Sequence, residues 1–151
     1  MKRTTFFLII ILILSFLLRF YRLDQIPGSL NPDEKFNGYL AYSLLTTGKD
    51  LWGNFWPLTT RTFGSWTLIG MPLLMIPSVA IFGLSEMAER IPGVFLGVLG
   101  TGLISWISWL LFKNRRAALL VALFYALSPW GIFLSRISHE TVLGLTVFLL
   151  S

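Results

Sequence analysis

Thr4-Thr5-Phe6-Phe7-Leu8-Ile9-Ile10-Ile11-Leu12-Ile13-Leu14-Ser15-Phe16-Leu17-Leu18-Arg19-Phe20-Tyr21-Arg22-Leu23 is an almost unbroken apolar run. Twenty residues at about 1.5 Å of rise each match a hydrocarbon core of about 30 Å. Lys2 and Arg3 precede the run, as they would a signal peptide. No small-x-small cleavage signature closes it, however, and Arg19-Phe20-Tyr21-Arg22 follow as snorkelling and interfacial anchors. The run therefore reads as an uncleaved first membrane helix. The rest of the chain agrees: 55% of residues are hydrophobic and 13% charged, about half the charged fraction of an ordinary soluble domain. The net charge of +5 comes from basic residues scattered around apolar runs, without the continuous stripe that nucleic acid requires. With no cysteine, disulfide frameworks and thiolate metal sites are excluded.

Working outward, residues 92–112 form a second span closed by Lys113-Asn114-Arg115-Arg116, and residues 117–134 a third, interrupted by Ser128-Pro129. Residues 66–82 are apolar too, but short and broken by Pro72 and Pro77. If they crossed, the Lys113–Arg116 cluster would lie outside, against the positive-inside rule. If they do not cross, the N-terminus and that cluster are cytoplasmic, and all seven acids (Asp24, Asp33, Glu34, Asp50, Glu86, Glu89, Glu140) face outward. The second topology is the better one. Residues 141–151 begin a further span that reaches about 16 Å, half a bilayer, so the chain reads as the N-terminal part of a longer multi-span domain. The expectation is an all-α integral protein of the plasma membrane, multi-pass, with a cytoplasmic N-terminus. Its first external loop, 24–91, carries interfacial helices at about 32–47 and 66–82.

That loop holds Asn31-Pro32-Asp33-Glu34. Asn31 suits an N-cap, Pro32 the first helical position, and Glu34 completes a capping box. Phe36, Tyr39, Leu40 and Leu44 then mark one apolar face, with Lys35, Asn37 and Gly38 off it, and Gly48 is a stop signal. Trp52, Phe55, Trp56, Phe63 and Trp66 give the remainder an interfacial composition. The acidic pair has two readings. One is a helix cap interacting favourably with the helix dipole, worth about 1 kcal/mol or less. The other is a carboxylate aimed into a cleft for proton abstraction. The two are compatible, and spacing alone favours the cap.

Taken in order, Arg19-Phe20-Tyr21-Arg22-Leu23, Pro32-Asp33-Glu34, Thr47-Gly48 with Trp52, Phe82-Gly83-Leu84-Ser85-Glu86, Glu89-Arg90-Ile91-Pro92-Gly93, Arg115-Arg116-Ala117-Ala118 and Ser128-Pro129-Trp130 form a recognisable series. The chain resembles the beginning of the GT-C membrane glycosyltransferases, in particular the group of protein O-mannosyltransferases and aminoarabinose transferases. The resemblance implies the N-terminal part of a GT-C multi-span bundle. It also implies inverting transfer of a sugar from a polyprenyl-phosphate carrier to an acceptor hydroxyl or phosphate, outside the cytoplasm. The polyprenyl-phosphate-linked sugar donor, an acceptor glycan, lipid or protein, and membrane lipid are then the partners, and the residues assign no cofactor and leave the metal requirement open. Asp33 matches the general base, Glu34 the acid that orients base or acceptor, and Arg90 an arginine tied to that pair. For Arg90 an interfacial anchor is the alternative role. One departure stands out: residues 64–72 lack the lysine that contacts the carrier phosphate in aminoarabinose transferases, which leaves Arg61, Arg136 or residues beyond position 151 to supply that charge.

His139-Glu140 suggests either a proton relay or the N-terminal cap of a last helix. Two adjacent residues are too few ligands for a metal, and the cap is favoured. Arg136 reads as facing a phosphate or as an interfacial anchor. Gly93-x-x-x-Gly97 is a helix-packing signal. The alternative function is a non-enzymatic transporter or flippase segment, which would place ionisable residues along a path within the spans. The middles of the three spans carry none.

Overall fold

Residues 2–151 are described by a computed structural model, apart from the side chain of Lys2. Among them are seven helices and one short hairpin: α1 (Lys2–Phe20), α2 (Pro32–Thr47), β1 (Thr59–Arg61), β2 (Trp66–Leu68), α3 (Gly70–Phe82), α4 (Glu86–Phe112), α5 (Arg115–Leu127), α6 (Pro129–Arg136) and α7 (Glu140–Leu150). Helices α1 and α4 are each long and apolar enough to cross a membrane, and α5 with α6 would make a third span bent by 56°.

Helix α4 is the hub of the bundle. It runs antiparallel to α1, since Gly97 lies by Arg19 and Thr101 by Ser15, and antiparallel to α5, since Gly100 lies by Tyr125 and Ser105 by Ala118. Small residues set these distances. A Cβ on Gly93 would strike the Ser135 carbonyl and Ser138, and one on Gly97 would strike Arg19 and Ser135. The Gly93–Gly97 signal thus corresponds to two close helix approaches. Ile11 packs with Ala122 and Ala126 between α1 and α5, while Ala41, Met71, Met75, Val79 and Ala88 join α2, α3 and α4.

Three prolines interrupt these helices. Helix α4 begins at Glu86, capped by Ser85, rather than near residue 92, so Pro92 falls inside it. Proline has no N–H for the carbonyl of Ala88, and Ser78 Oγ of α3 donates to that oxygen at 2.6 Å. At the α5–α6 break Pro129 has no N–H for Tyr125 O, which accepts from Ser128 N at 3.3 Å instead. The Arg19 guanidinium, fully buried, reaches Tyr125 O at 3.5 Å and Ala126 O at 3.2 Å. In α3, Pro77 lies mid-helix.

The loop between α1 and α4 departs from the expected single helix over 66–82. Trp66–Leu68 pair antiparallel with Thr59–Arg61, and helix starts only at Gly70. Aromatic and β-branched side chains at 59, 60, 66 and 67 suit a pleated pair, and Gly64, at φ 90°, makes the turn. The preceding loop is ordered by buried Asp50. Its carboxylate accepts from the Trp52 and Asn54 backbone N–H groups, the Asn54 amide and the Thr60 hydroxyl.

Candidate functional site

The α2 end is built as its residues dictate. Asn31 Oδ1 accepts from Glu34 N at 2.8 Å, Glu34 Oε2 accepts from Asn31 N at 2.9 Å, and Pro32 opens the helix. Gly48 ends it at φ 68°, a conformation that favours glycine. The buried face is rotated from the expected one. It comprises Glu34, Asn37, Gly38, Leu40, Ala41 and Leu44, whereas Tyr39 is exposed. That face packs on α3 through Leu40, Ala41 and Leu44 and on α4 at Gly38, where the buried Glu89 side chain leaves room only for hydrogen.

Glu34 does two jobs. Its second oxygen, Oε1, accepts from Arg90 Nε at 2.9 Å. Arg90 has no solvent exposure and spends its other donors on Leu23 O, Pro27 O, Ser29 O and Glu86 Oε2. A planar guanidinium suits this fan of acceptors. Arg90 therefore ties the chain leaving α1 to the start of α2, and both Glu34 oxygens are occupied. Asp33, one residue earlier, is exposed and forms no hydrogen bond or ion pair with any described residue.

Arg136 is likewise engaged: it donates to Leu18 O, Arg22 O and twice to Ile26 O. Buried to 7% exposure, it does not snorkel, and four of its five N–H donors are spent on backbone carbonyls. Arg61 lies on the exposed side of the hairpin over the Trp52 ring, 5.9 Å from its centroid, and does not line the cleft described next.

Asp33 and Glu34 open on a cleft of about 260 Å³ between the start of α2, the hairpin turn and the α6–α7 connection. Asn31, Asn37, Thr62, Ser65, Thr67, Trp66 and Phe36 line it with Ser138, His139 and Glu140. The sequence gives no local sign that His139-Glu140 would meet Asp33, a hundred residues away; the α4–α6 packing at Gly93 brings them there. Ser138 is pinned by Gly93 N and Arg90 O. His139 is the cap of α7, as expected: its Nδ1 accepts from Thr141 N at 3.2 Å and meets the Thr141 hydroxyl at 3.0 Å. That arrangement assigns the ring proton to Nε2. Glu140 accepts from the Thr67 hydroxyl, joining α7 to the hairpin. No group of three metal-ligating side chains exists among the described residues.

The fold and site define a helical chain with two helices of membrane-spanning length and a polar, carboxylate-bearing cleft beside their ends. Comparison with protein-family models, curated proteins and solved structures found no match.

Proposed function

We propose that the chain forms the acceptor-activating part of a membrane glycosyltransferase of the GT-C kind, which moves a sugar from a polyprenyl-phosphate carrier. One observation carries the reading: an acidic pair divided in role. Glu34 is locked by its cap and by Arg90, while the neighbouring Asp33 carboxylate is unengaged and opens on a polar cleft.

In this reading an acceptor O–H donates its proton to Asp33 as the oxygen forms a bond to the anomeric carbon. The bond from that carbon to the carrier phosphate breaks on the opposite face, inverting configuration. The phosphate leaves as a stable anion, so no general acid is needed. Glu34 and Arg90 position the base. The cleft lies on the extracytoplasmic side, with the Lys113–Arg116 end in the cytoplasm. Arg90 and Arg136 are buried against backbone carbonyls and neither lines the cleft, so neither is presented to a carrier phosphate there. The transporter reading is disfavoured because Arg19, the buried cation of the α1–α4–α5 core, is bonded to helix carbonyls rather than lining a path.

The test is thermal unfolding of the full-length protein in lipid, with and without a polyprenyl-phosphate-linked sugar. Carrier-dependent stabilisation is expected. Its absence with every such donor tried would leave Asp33-Glu34 as a helix cap.

A further inference from the structure

The cleft beside Asp33 contains groups that capping and packing do not use. Asn37 is 4% exposed, yet its side-chain amide forms no hydrogen bond with any described residue, and it lines the cleft. Its amide atoms are not sealed from solvent, and the cleft that the residue lines gives a ligand access to them. His139 adds a second unused group. With Nδ1 accepting from Thr141 N, its Nε2–H is a donor without an acceptor among the described residues. Trp66, largely exposed, supplies a flat apolar face on the same cleft.

Charge decides what these groups receive. Asp33 and Glu140 carry negative charge into the cleft, Glu34 is balanced by Arg90, and neither lysine nor arginine lines it. A phosphate or other anion would meet unscreened carboxylates with no cation to compensate. Neutral hydroxyls fit: each donates to a carboxylate or the amide oxygen and accepts from the amide N–H or the imidazole N–H. The apolar face of a sugar ring can rest on Trp66.

We infer that this cleft is a binding subsite for an uncharged, hydroxyl-bearing acceptor such as a neutral glycan, selected by Asn37 and His139, and that it rejects phosphorylated acceptors. This rests on the transferase reading for the word acceptor, but the binding itself requires neither donor nor turnover.

Saturation-transfer NMR on the full-length protein in lipid nanodiscs tests it, with a methyl hexoside and the matching hexose 6-phosphate as probes. The methyl hexoside should give a signal and the phosphate none. Asn37→Leu should weaken hexoside binding about fivefold, the size of one lost hydrogen bond. His139→Asn should do the same while keeping a good N-cap, so that α7 stays folded. The double change Asp33→Asn with Glu140→Gln should admit the hexose phosphate. Equal binding of both probes by the unaltered protein, binding of neither, or hexoside binding indifferent to both single changes would overturn the inference. Hexoside binding that persists while every polyprenyl-phosphate sugar fails as donor would sink the transferase reading and leave the subsite standing.

Discussion

Arg90 Nε donates to Glu34 Oε1 at 2.9 Å, both side chains being buried, and the same guanidinium holds three backbone carbonyls between α1 and α2. The cap of α2 and the placement of Asp33 therefore depend on a residue fifty-six positions away. Removing one partner of a buried pair leaves the other charge uncompensated, which costs about 3–5 kcal/mol.

Arg90→Ala should accordingly lower the thermal midpoint strongly. Arg90→Lys should recover little, because an ammonium cannot reproduce the fan of in-plane donors. Unfolding of the purified protein in lipid, followed by circular dichroism, checks both. A lysine variant as stable as wild type would remove the guanidinium geometry from the account.

Gly93→Ala should destabilise by about 1–3 kcal/mol, the usual cost of overpacking, although alanine is the better helix former by about 1 kcal/mol. The new methyl would meet the Ser135 carbonyl and the Ser138 backbone, which cannot swing aside as a long side chain can. Because Ser138 precedes His139, the same change should weaken hexoside binding in the cleft. Gly144→Ala, where a Cβ meets nothing within 4 Å, is the control and should be neutral or stabilising.

Much of the local structure is legible in the sequence because its causes are local. The capping box at Asn31, the stop at Gly48 and the cap at His139 each follow from a side chain reaching its own helix end. What escapes are groups whose partners come from other elements. Ser78 and Arg19 look like an ordinary helix serine and an interfacial anchor, yet each donates to a carbonyl of another helix beside a proline, Ala88 O and Tyr125 O. Asn37 and Gly38 fall off the apolar periodicity of α2 and are buried nevertheless, because Glu89 and the cleft lie on that side. The run from Trp66 to Phe82 reads as one helix since a short apolar stretch does not distinguish helix from strand. The acidic pair was visible from its spacing; the division of labour within it was not, since it depends on Arg90.

Asp50 makes stability pH-dependent in a definite direction. Burial raises its pKa, but hydrogen bonds from the Asn54 side chain and backbone, the Thr60 hydroxyl and the Trp52 backbone outweigh that and hold it below its ordinary value. A depressed folded-state pKa contributes stability that is present above the unfolded-state value and lost as pH falls through the folded one. Asp50→Asn should therefore lower the midpoint at pH 7, and the gap to wild type should narrow below about pH 4. A gap constant with pH would show that the carboxylate charge contributes nothing.

Asp33 and Glu34 should separate in their phenotypes. Glu34→Gln weakens the pairing with Arg90 and should lower the thermal midpoint. Asp33→Asn touches no partner and should leave it within about 0.5 kcal/mol of wild type. Equal destabilisation by the two would mean that Asp33 is structural as well.

The most direct measurement is sugar transfer from a polyprenyl-phosphate donor to a hydroxyl acceptor, by full-length protein in lipid, comparing wild type with Asp33→Asn and Asp33→Glu. The account predicts transfer by wild type and a loss of at least about a hundredfold in both variants, the scale of general-base catalysis, with unchanged folding. Wild-type turnover in either variant, or no transfer from any polyprenyl-phosphate sugar, would contradict it.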